Sequence, residues 1–168
     1  MNTPTLIGTL IFAVVLVLVI GFLIRLMLRG WRRRAESQIA LVGQLPGLPD
    51  IVGPAVIPGI KGLYVGSTLA PSWQDRIVAG DLGYRTKAVL TRYPEGVMCV
   101  RSGARSIWIP AESITAIRTE RGIAGKALTH HGILAIRWKL PSGTEIDTGF
   151  RADDRQQYDE WVTQEDAP

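Results

Sequence analysis

Three cations gather around a glycine-containing turn, with Arg118, Arg121 and Lys126 flanking Gly122-Ile123-Ala124-Gly125. A phosphate loop needs four residues between its glycines and a Ser or Thr after the Lys, so that amides cradle phosphate and a hydroxyl holds magnesium. Here two residues separate the glycines and Ala127 follows Lys126, so the turn is read as a connection between strands. What remains is a set of cations able to meet an acidic headgroup or a protein carboxylate. His130 and His131 are adjacent, and in a strand they would point to opposite faces and could not share a metal. No Cys or carboxylate cluster stands nearby at ligand spacing, and the pair is read as part of a surface loop. Glu145 and Asp147 share a strand face and, with no evident basic or metal partner, read as a solvated edge. Asp153-Asp154 suits the start of a helix. Cys99 is the only cysteine, set in the apolar run Val97 to Val100, so it forms no intrachain disulfide and reads as a small hydrophobe. No GxSxG or HExxH motif occurs. Catalytic, cofactor and metal sites are therefore expected to be absent.

The elements that position these residues are mainly strands. From Leu63 the pattern is that of β-structure: Leu63 to Leu69, Arg76 to Ala79, Thr86 to Thr91, Val97 to Arg101, Ser106 to Ile109, Ile114 to Glu120, Ile133 to Leu140 and Thr144 to Phe150. Tyr93-Pro94-Glu95-Gly96 and Pro141-Ser142-Gly143 supply turns. Leu134, Ile136, Trp138 and Leu140 lie on one side of their strand, with Arg137 and Lys139 on the other. Near the end, Asp153 or Asp154 can cap a helix that docks through Tyr158, Trp161 and Val162. Short strands at this spacing suggest a sandwich or barrel, with the helix plugging its open end.

Ahead of this domain the nineteen residues Leu6 to Ile24 carry no charge. At about 1.5 Å per residue, residues 6–28 are long enough to span a bilayer core. Arg25, Arg29, Arg32, Arg33 and Arg34 follow, with Trp31 among them, while no Lys or Arg precedes the span. These six form the expected membrane interface. A signal peptide would carry its charge on the other side of the apolar run. The positive-inside rule places residues 1–5 outside and the rest of the chain after the span in the cytoplasm, giving a single-pass inner-membrane protein. Residues 29–61 are read as a basic flank and a linker with prolines at 46, 49, 54 and 58, which packs on the domain or lies along the bilayer. Residues 62–168 form the folded domain. From Lys61 onward there are 14 basic and 13 acidic residues, so the overall charge of +4 belongs to the membrane flank. A nucleic-acid partner, which calls for a basic patch on the domain itself, is not expected.

Trp108-Ile109-Pro110-Ala111-Glu112-Ser113-Ile114, Gly122-Ile123-Ala124-Gly125-Lys126 and Ile146-Asp147-Thr148-Gly149-Phe150-Arg151, with the order of strands and a closing helix, resemble small membrane-anchored bacterial pleckstrin-homology-like (PH-like) proteins of actinobacteria. The resemblance covers residues 62–164 and the anchor. It implies a PH-like split barrel of seven or eight short strands closed by a C-terminal helix, in a family of membrane or export proteins with no catalytic residues to carry over. Eukaryotic PH domains often bind phosphoinositides through basic residues between their first two strands. Here that loop is expected at Ala70-Pro71-Ser72, without a basic residue, which speaks against such recognition. The expected function is a non-catalytic domain that binds a protein or lipid headgroups beside the bilayer. The rivals are an accessory subunit of a transport or export system, and an enzyme acting on membrane-proximal substrates. Neither the partner nor the oligomeric state follows from the residues.

Overall fold

The computed structural model describes residues 3–123, 126–127 and 132–162. The chain divides into two units, residues 1–37 and 38–168. The first is helical, part of α1 (Thr3–Val42). Within α1, Ile7–Gly30 is long and apolar enough to cross a membrane, and its large side chains are exposed rather than packed on protein.

The second unit opens with the last turn of the same helix. Gly43, at φ +60°, stops it in the left-handed conformation and donates its N–H to the Ile39 carbonyl at 2.9 Å. The Gln38 side chain is buried and holds the backbone on both sides of Ile77. Its Nε2 donates to the Arg76 carbonyl (3.1 Å), and its Oε1 accepts from the Val78 N–H (2.8 Å). The free carbonyl of Leu41 accepts from the hydroxyls of Ser142 (2.6 Å) and Thr144 (2.7 Å). The Pro-rich stretch that follows is held on the domain as well. Leu45 packs on the core, the Gly53 N–H meets the Glu95 carboxylate, and the Val56 N–H donates to the Arg92 carbonyl. Leu48 and Ile51 project outward.

The strands are β1 (Ile57–Leu69), β2 (Thr86–Tyr93), β3 (Gly96–Arg101), β4 (Ile107–Pro110), β5 (Ile114–Glu120), β6 (Gly122–Ile123), β7 (Lys126–Ala127), β8 (Ile133–Lys139) and β9 (Glu145–Ala152). Among the described residues, seven form one antiparallel sheet in the order β4-β3-β2-β1-β9-β8-β5, while β6 and β7 pair with each other. The expected barrel is not closed, because β4 and β5 stay at opposite edges of the sheet. Pro110 ends β4 and lacks an N–H to extend a ladder, and the short turn Ala111–Ser113 carries the chain away.

Two of the expected strands change, and the connection read at Gly122 to Gly125 gains the short strand pair β6–β7. β1 starts at Ile57, six residues before Leu63, so part of the expected linker is sheet. Arg76 to Ala79 is not a strand. Arg76 makes a single bridge to Thr68, and the chain then enters a 3-10 turn at Gly80–Gly83. The Gln38 amide occupies the Arg76 carbonyl and Val78 N–H that a neighbouring strand would use. The connection from β1 to β2 thus runs from Ala70 to Arg85 and includes Arg76 and Arg85, correcting the short loop without basic residues.

One face of the sheet buries the main core. Tyr64, Leu90, Ile109, Ile136, Trp138, Ile146 and Phe150 meet Ile77 and Leu82 from the β1–β2 connection. Through this core runs a line of hydrogen bonds: Trp138 Nε1 donates to Thr148 Oγ1 (2.9 Å), which lies 3.0 Å from Ser67 Oγ, itself 2.9 Å from the Tyr64 hydroxyl. Tyr64 donates in turn to the Leu82 carbonyl (2.8 Å), and burial raises its hydroxyl well above the ordinary tyrosine range. The C-terminal element is a 3-10 helix, Arg155–Glu160, capped by Asp154, whose carboxylate accepts from the Gln156 N–H at 3.1 Å. Three residues per turn put Tyr158 and Trp161 on one side, and both are buried. The Tyr158 hydroxyl accepts from the Ala152 N–H and donates to the Gly132 carbonyl, stitching the helix to the sheet.

Candidate functional site

The opposite face of the sheet carries a second, smaller cluster of Val65, Ile123, Ile133 and Ala135. It exists because the chain after β5 folds back over β9. Ile123 lies directly on Gly149, where a Cβ would meet Ile123 Cγ2 at 2.5 Å, so a side chain there would lift the β6–β7 hairpin. Beside this cluster β9 turns Asp147 to the same face, and the register sets it opposite Arg137 on β8 and Thr68 on β1.

Asp147 is buried and held by two guanidiniums. Arg137 approaches side-on, with Nε 2.9 Å from Oδ1 and Nη2 2.7 Å from Oδ2. Arg118, from β5 beyond β8, adds Nη1 to Oδ1 at 3.2 Å and Nη2 to Oδ2 at 3.0 Å, and gives its Nε to Glu120 at 2.7 Å. Burial pushes the Asp147 carboxyl up, but the hydrogen bonds and charges of Arg137 and Arg118 outweigh it and leave the carboxyl below its usual range. Burial likewise works against the Arg118 cation, and the bonds to Asp147 and Glu120 more than restore it. Arg137 is stabilised as a cation chiefly by its bonds to Asp147. Four charge-assisted bonds on one carboxylate fix both guanidinium planes.

The cluster forms one wall of a cavity of about 350 Å³. Pro71 and Trp73 from the β1–β2 connection line it too, Ile123 and Ala135 supply apolar surface, and Arg121 and Glu120 complete the lining. Trp73 is 42% exposed. Thr68 Oγ1, on the same sheet face as Asp147, is buried without a hydrogen-bond partner among the described residues. The arrangement offers guanidinium donors, carboxylate acceptors and an indole around a space of small-molecule size. A nucleophile with an attendant base is not part of it. Among the described residues no group of three His, Cys, Asp or Glu could hold a metal.

A family model described as Bacterial PH domain-like matches residues 42–166. The chain belongs to that family. A comparison with curated proteins returns no match. The fold is accordingly a PH-like domain with an N-terminal apolar helix and a C-terminal 3-10 helix, its sheet left open. The match begins at Val42, the last residue of α1, and takes in the Pro-rich stretch that the residues themselves suggest is a linker.

In this PH-like domain Arg118 and Arg121 come together at the cavity, while the side chain of Lys126 lies outside the described residues. His130 and His131 lie outside them too. Arg25, Arg29 and Arg32 are exposed on α1, and the side chains of Trp31, Arg33 and Arg34 are outside the described set. The solvated edge expected of Glu145 and Asp147 is corrected. Asp147 is among the most buried polar residues, because hairpin pairing brings Arg137 against it, and Glu145 accepts from the Thr115 hydroxyl at 3.1 Å. Sequence reasoning missed Arg137 and Trp73. The signal for Arg137 was present, since a turn at Pro141-Ser142-Gly143 pairs Lys139 with Glu145 and therefore Arg137 with Asp147. Trp73 sits in an irregular connection with no periodicity to announce it.

Proposed function

We propose that the chain is a single-pass membrane protein, with its N-terminus outside and its PH-like domain in the cytoplasm acting as a non-catalytic binding module for a protein or for lipid headgroups. The observation that carries this reading is one chain holding a helix able to cross a membrane and a PH-like domain, a fold usually used for interaction rather than catalysis. The arginines that follow the apolar run, and their absence before it, support the direction. The cavity lined by Arg118, Glu120, Arg137 and Asp147 supports a polar ligand. The anchor keeps the domain at high local concentration near whatever it recognises.

Two experiments test this. A phosphatase reporter fused to the C-terminus should be inactive, since that enzyme works only outside the cytoplasm, and an active fusion would reverse the topology. In-cell crosslinking with mass spectrometry should yield partners or lipids that are lost when residues 62–164 are deleted. If the deletion alters no contact and no phenotype, the binding role fails. Crosslinks from Thr9 or Gly21 to one multi-span protein would assign the chain instead to a transport assembly as an accessory subunit.

A further inference from the structure

Hydrogen-bonding capacity is unevenly spent in the cavity lined by Asp147 and its arginines. Asp147 accepts two bonds on each oxygen, Oδ1 from Arg137 Nε and Arg118 Nη1, and Oδ2 from Arg137 Nη2 and Arg118 Nη2. A carboxylate has about four lone-pair sites, so none is left for a ligand. Arg137 gives Asp147 its side-on edge, Nε and Nη2. Its end-on edge, one N–H from each of Nη1 and Nη2, meets no acceptor among the described residues. Glu120 accepts from Arg118 Nε through Oε1, and its Oε2 takes no hydrogen bond among the described residues. We propose that this cavity binds a free α-amino acid with an apolar side chain, its carboxylate on the end-on edge of Arg137, its ammonium on Glu120 and its side chain against Trp73. This is a ligand beyond the protein or lipid headgroup of the broader reading, and it does not depend on that reading.

Each part of such a ligand answers one of these groups. Two parallel N–H donors in a rigid fork match the two oxygens of a carboxylate. Asp147, at 4% side-chain exposure, already holds the Arg137 guanidinium in place, so the ligand need not order it. The unused oxygen of Glu120 calls for a donor, and an ammonium brings one together with the opposite charge. Glu120 and Arg137 line the same cavity, and the Glu120 charge helps to stabilise the Arg137 cation. Arg118 stands between them, with Nε on Glu120 and both Nη atoms on Asp147. Arg121 also lines the cavity, but it has a contact of its own and takes no part in this count.

Other charged ligands leave one of the two groups unmet. Phosphate, or a carboxylate without an amine, has nothing to donate to Glu120 and sets a second anion beside it. An amine without a carboxylate leaves the end-on edge of Arg137 empty. A peptide carries its two charged ends on different residues, whereas a free amino acid carries both on one carbon. The rest of the lining selects the side chain. Trp73 is 42% exposed, and Ile123 and Ala135 add apolar surface. At about 350 Å³ the cavity falls at the small end of ligand pockets, the size for a single amino acid.

The test is isothermal titration of the full chain in neutral detergent with L-leucine, L-leucinamide and N-acetyl-L-leucine. Wild type should bind one L-leucine per chain with a Kd of about 0.1 mM or tighter, and loss of either charged group of the ligand should weaken binding about tenfold. Glu120→Gln keeps the shape of a side chain that is 38% exposed. It should weaken L-leucine about tenfold and leave N-acetyl-L-leucine unchanged, because that ligand has no ammonium to lose. Arg137→Gln should abolish binding of L-leucine while near-UV circular dichroism shows the fold retained. Trp73→Ala, at an exposed position, should weaken L-leucine severalfold. The ligand series on wild type decides the matter even if a variant fails to fold. A wild type that does not bind L-leucine would overturn the proposal, as would equal affinities for the three ligands. Equal weakening of L-leucine and N-acetyl-L-leucine by Glu120→Gln would overturn the placement of the ammonium. Tighter binding of glycerophosphoserine than of L-leucine would overturn the free amino acid in favour of a lipid headgroup. None of these results touches the topology reporter or the effect of deleting residues 62–164, which test the broader function separately.

Discussion

Replacing Asp147 by Ala removes a carboxylate that accepts four hydrogen bonds, at 2.7 and 2.9 Å from Arg137 and 3.0 and 3.2 Å from Arg118. Two guanidiniums then face each other across a buried gap. Removing one partner of a buried ion pair costs about 3–5 kcal/mol. Here the arginines keep 23% and 26% of their side chains exposed, so water recovers part of the loss. A cost of about 3 kcal/mol at pH 7 is the expected outcome. For a folded unit of this size, residues 38–168, each kcal/mol moves the midpoint by about 3–6 °C, which gives a fall of about 9–18 °C. The pH dependence supplies the stricter check. The folded carboxyl titrates below its unfolded value, so its stabilisation is present above the unfolded pKa of about 3.9 and is lost as pH falls through the folded one. Asp147→Asn keeps the shape and cannot titrate. The advantage of wild type over Asn should therefore be full at pH 7 and shrink progressively below about pH 4. Near-UV circular dichroism of the full chain in a neutral detergent, followed by heating at pH 7 and pH 3, reads both effects. A change under about 0.5 kcal/mol for the Ala variant would place Asp147 among ordinary surface residues and refute the reasoning. A wild-type advantage over Asn that does not change with pH would refute the electrostatic account.

Three further outcomes follow from single contacts. Gln38→Ala leaves the Arg76 carbonyl and the Val78 N–H without their partner, so a loss of about 1–3 kcal/mol and faster exchange of the Val78 amide are expected; unchanged exchange would mean the amide clamp is dispensable. Gly149→Ala sets a methyl 2.5 Å from Ile123 Cγ2, so the β6–β7 hairpin should lift at a cost of about 1–3 kcal/mol, seen as faster exchange of the Ile123 amide while core amides stay protected. Cys99 is buried, which pushes its thiol up to about 12, so it should resist iodoacetamide at neutral pH until the domain unfolds, and rapid labelling of the native chain would contradict its place in the core.

Much of the fold was legible because most strands alternate cleanly. Ile114 to Glu120 reads correctly to the residue, and Tyr93-Pro94-Glu95-Gly96 announces the β2–β3 turn. Failures came where long-range partners override local pattern. Ile57 to Gly62 contains Pro58 and two glycines and looks like linker, yet it pairs with β2 through an irregular register, and Gly62 also meets β9. A Cβ at Gly62 would meet the Arg151 carbonyl oxygen at 2.3 Å, so the glycine that suggests flexibility is required by close strand packing. Arg76 to Ala79 has strand composition, but its backbone groups are claimed by the Gln38 side chain, a contact across 38 residues that no local rule reports. The candidate site was half legible. Arg118 and Arg121 stand out by spacing, whereas the burial of Asp147 depends on adding hairpin arithmetic for β8–β9 to the separate observation that β5 lies beyond β8.

Along β9 the alternation of side chains divides the labour of the two sheet faces. Ile146, Thr148 and Phe150 turn inward and continue the main core, while Asp147 and Gly149 turn outward with opposite requirements. Asp147 needs cations, and Gly149 needs an apolar cover. One short segment, Arg118 to Ile123, meets both, the guanidinium of Arg118 reaching Asp147 and the side chain of Ile123 seating on Gly149. The two contacts support each other physically. Apolar cover beside the carboxylate lowers the local dielectric, which strengthens the bonds from Arg118 and Arg137. Those bonds in turn hold the end of β5 from which the hairpin departs. This face is thus organised by a six-residue stretch rather than by the sheet as a whole, and the cavity lies between that stretch and Trp73. A sheet edge covered for packing alone would be expected to close that gap with an apolar side chain. Here guanidiniums, carboxylates and an exposed indole surround it instead.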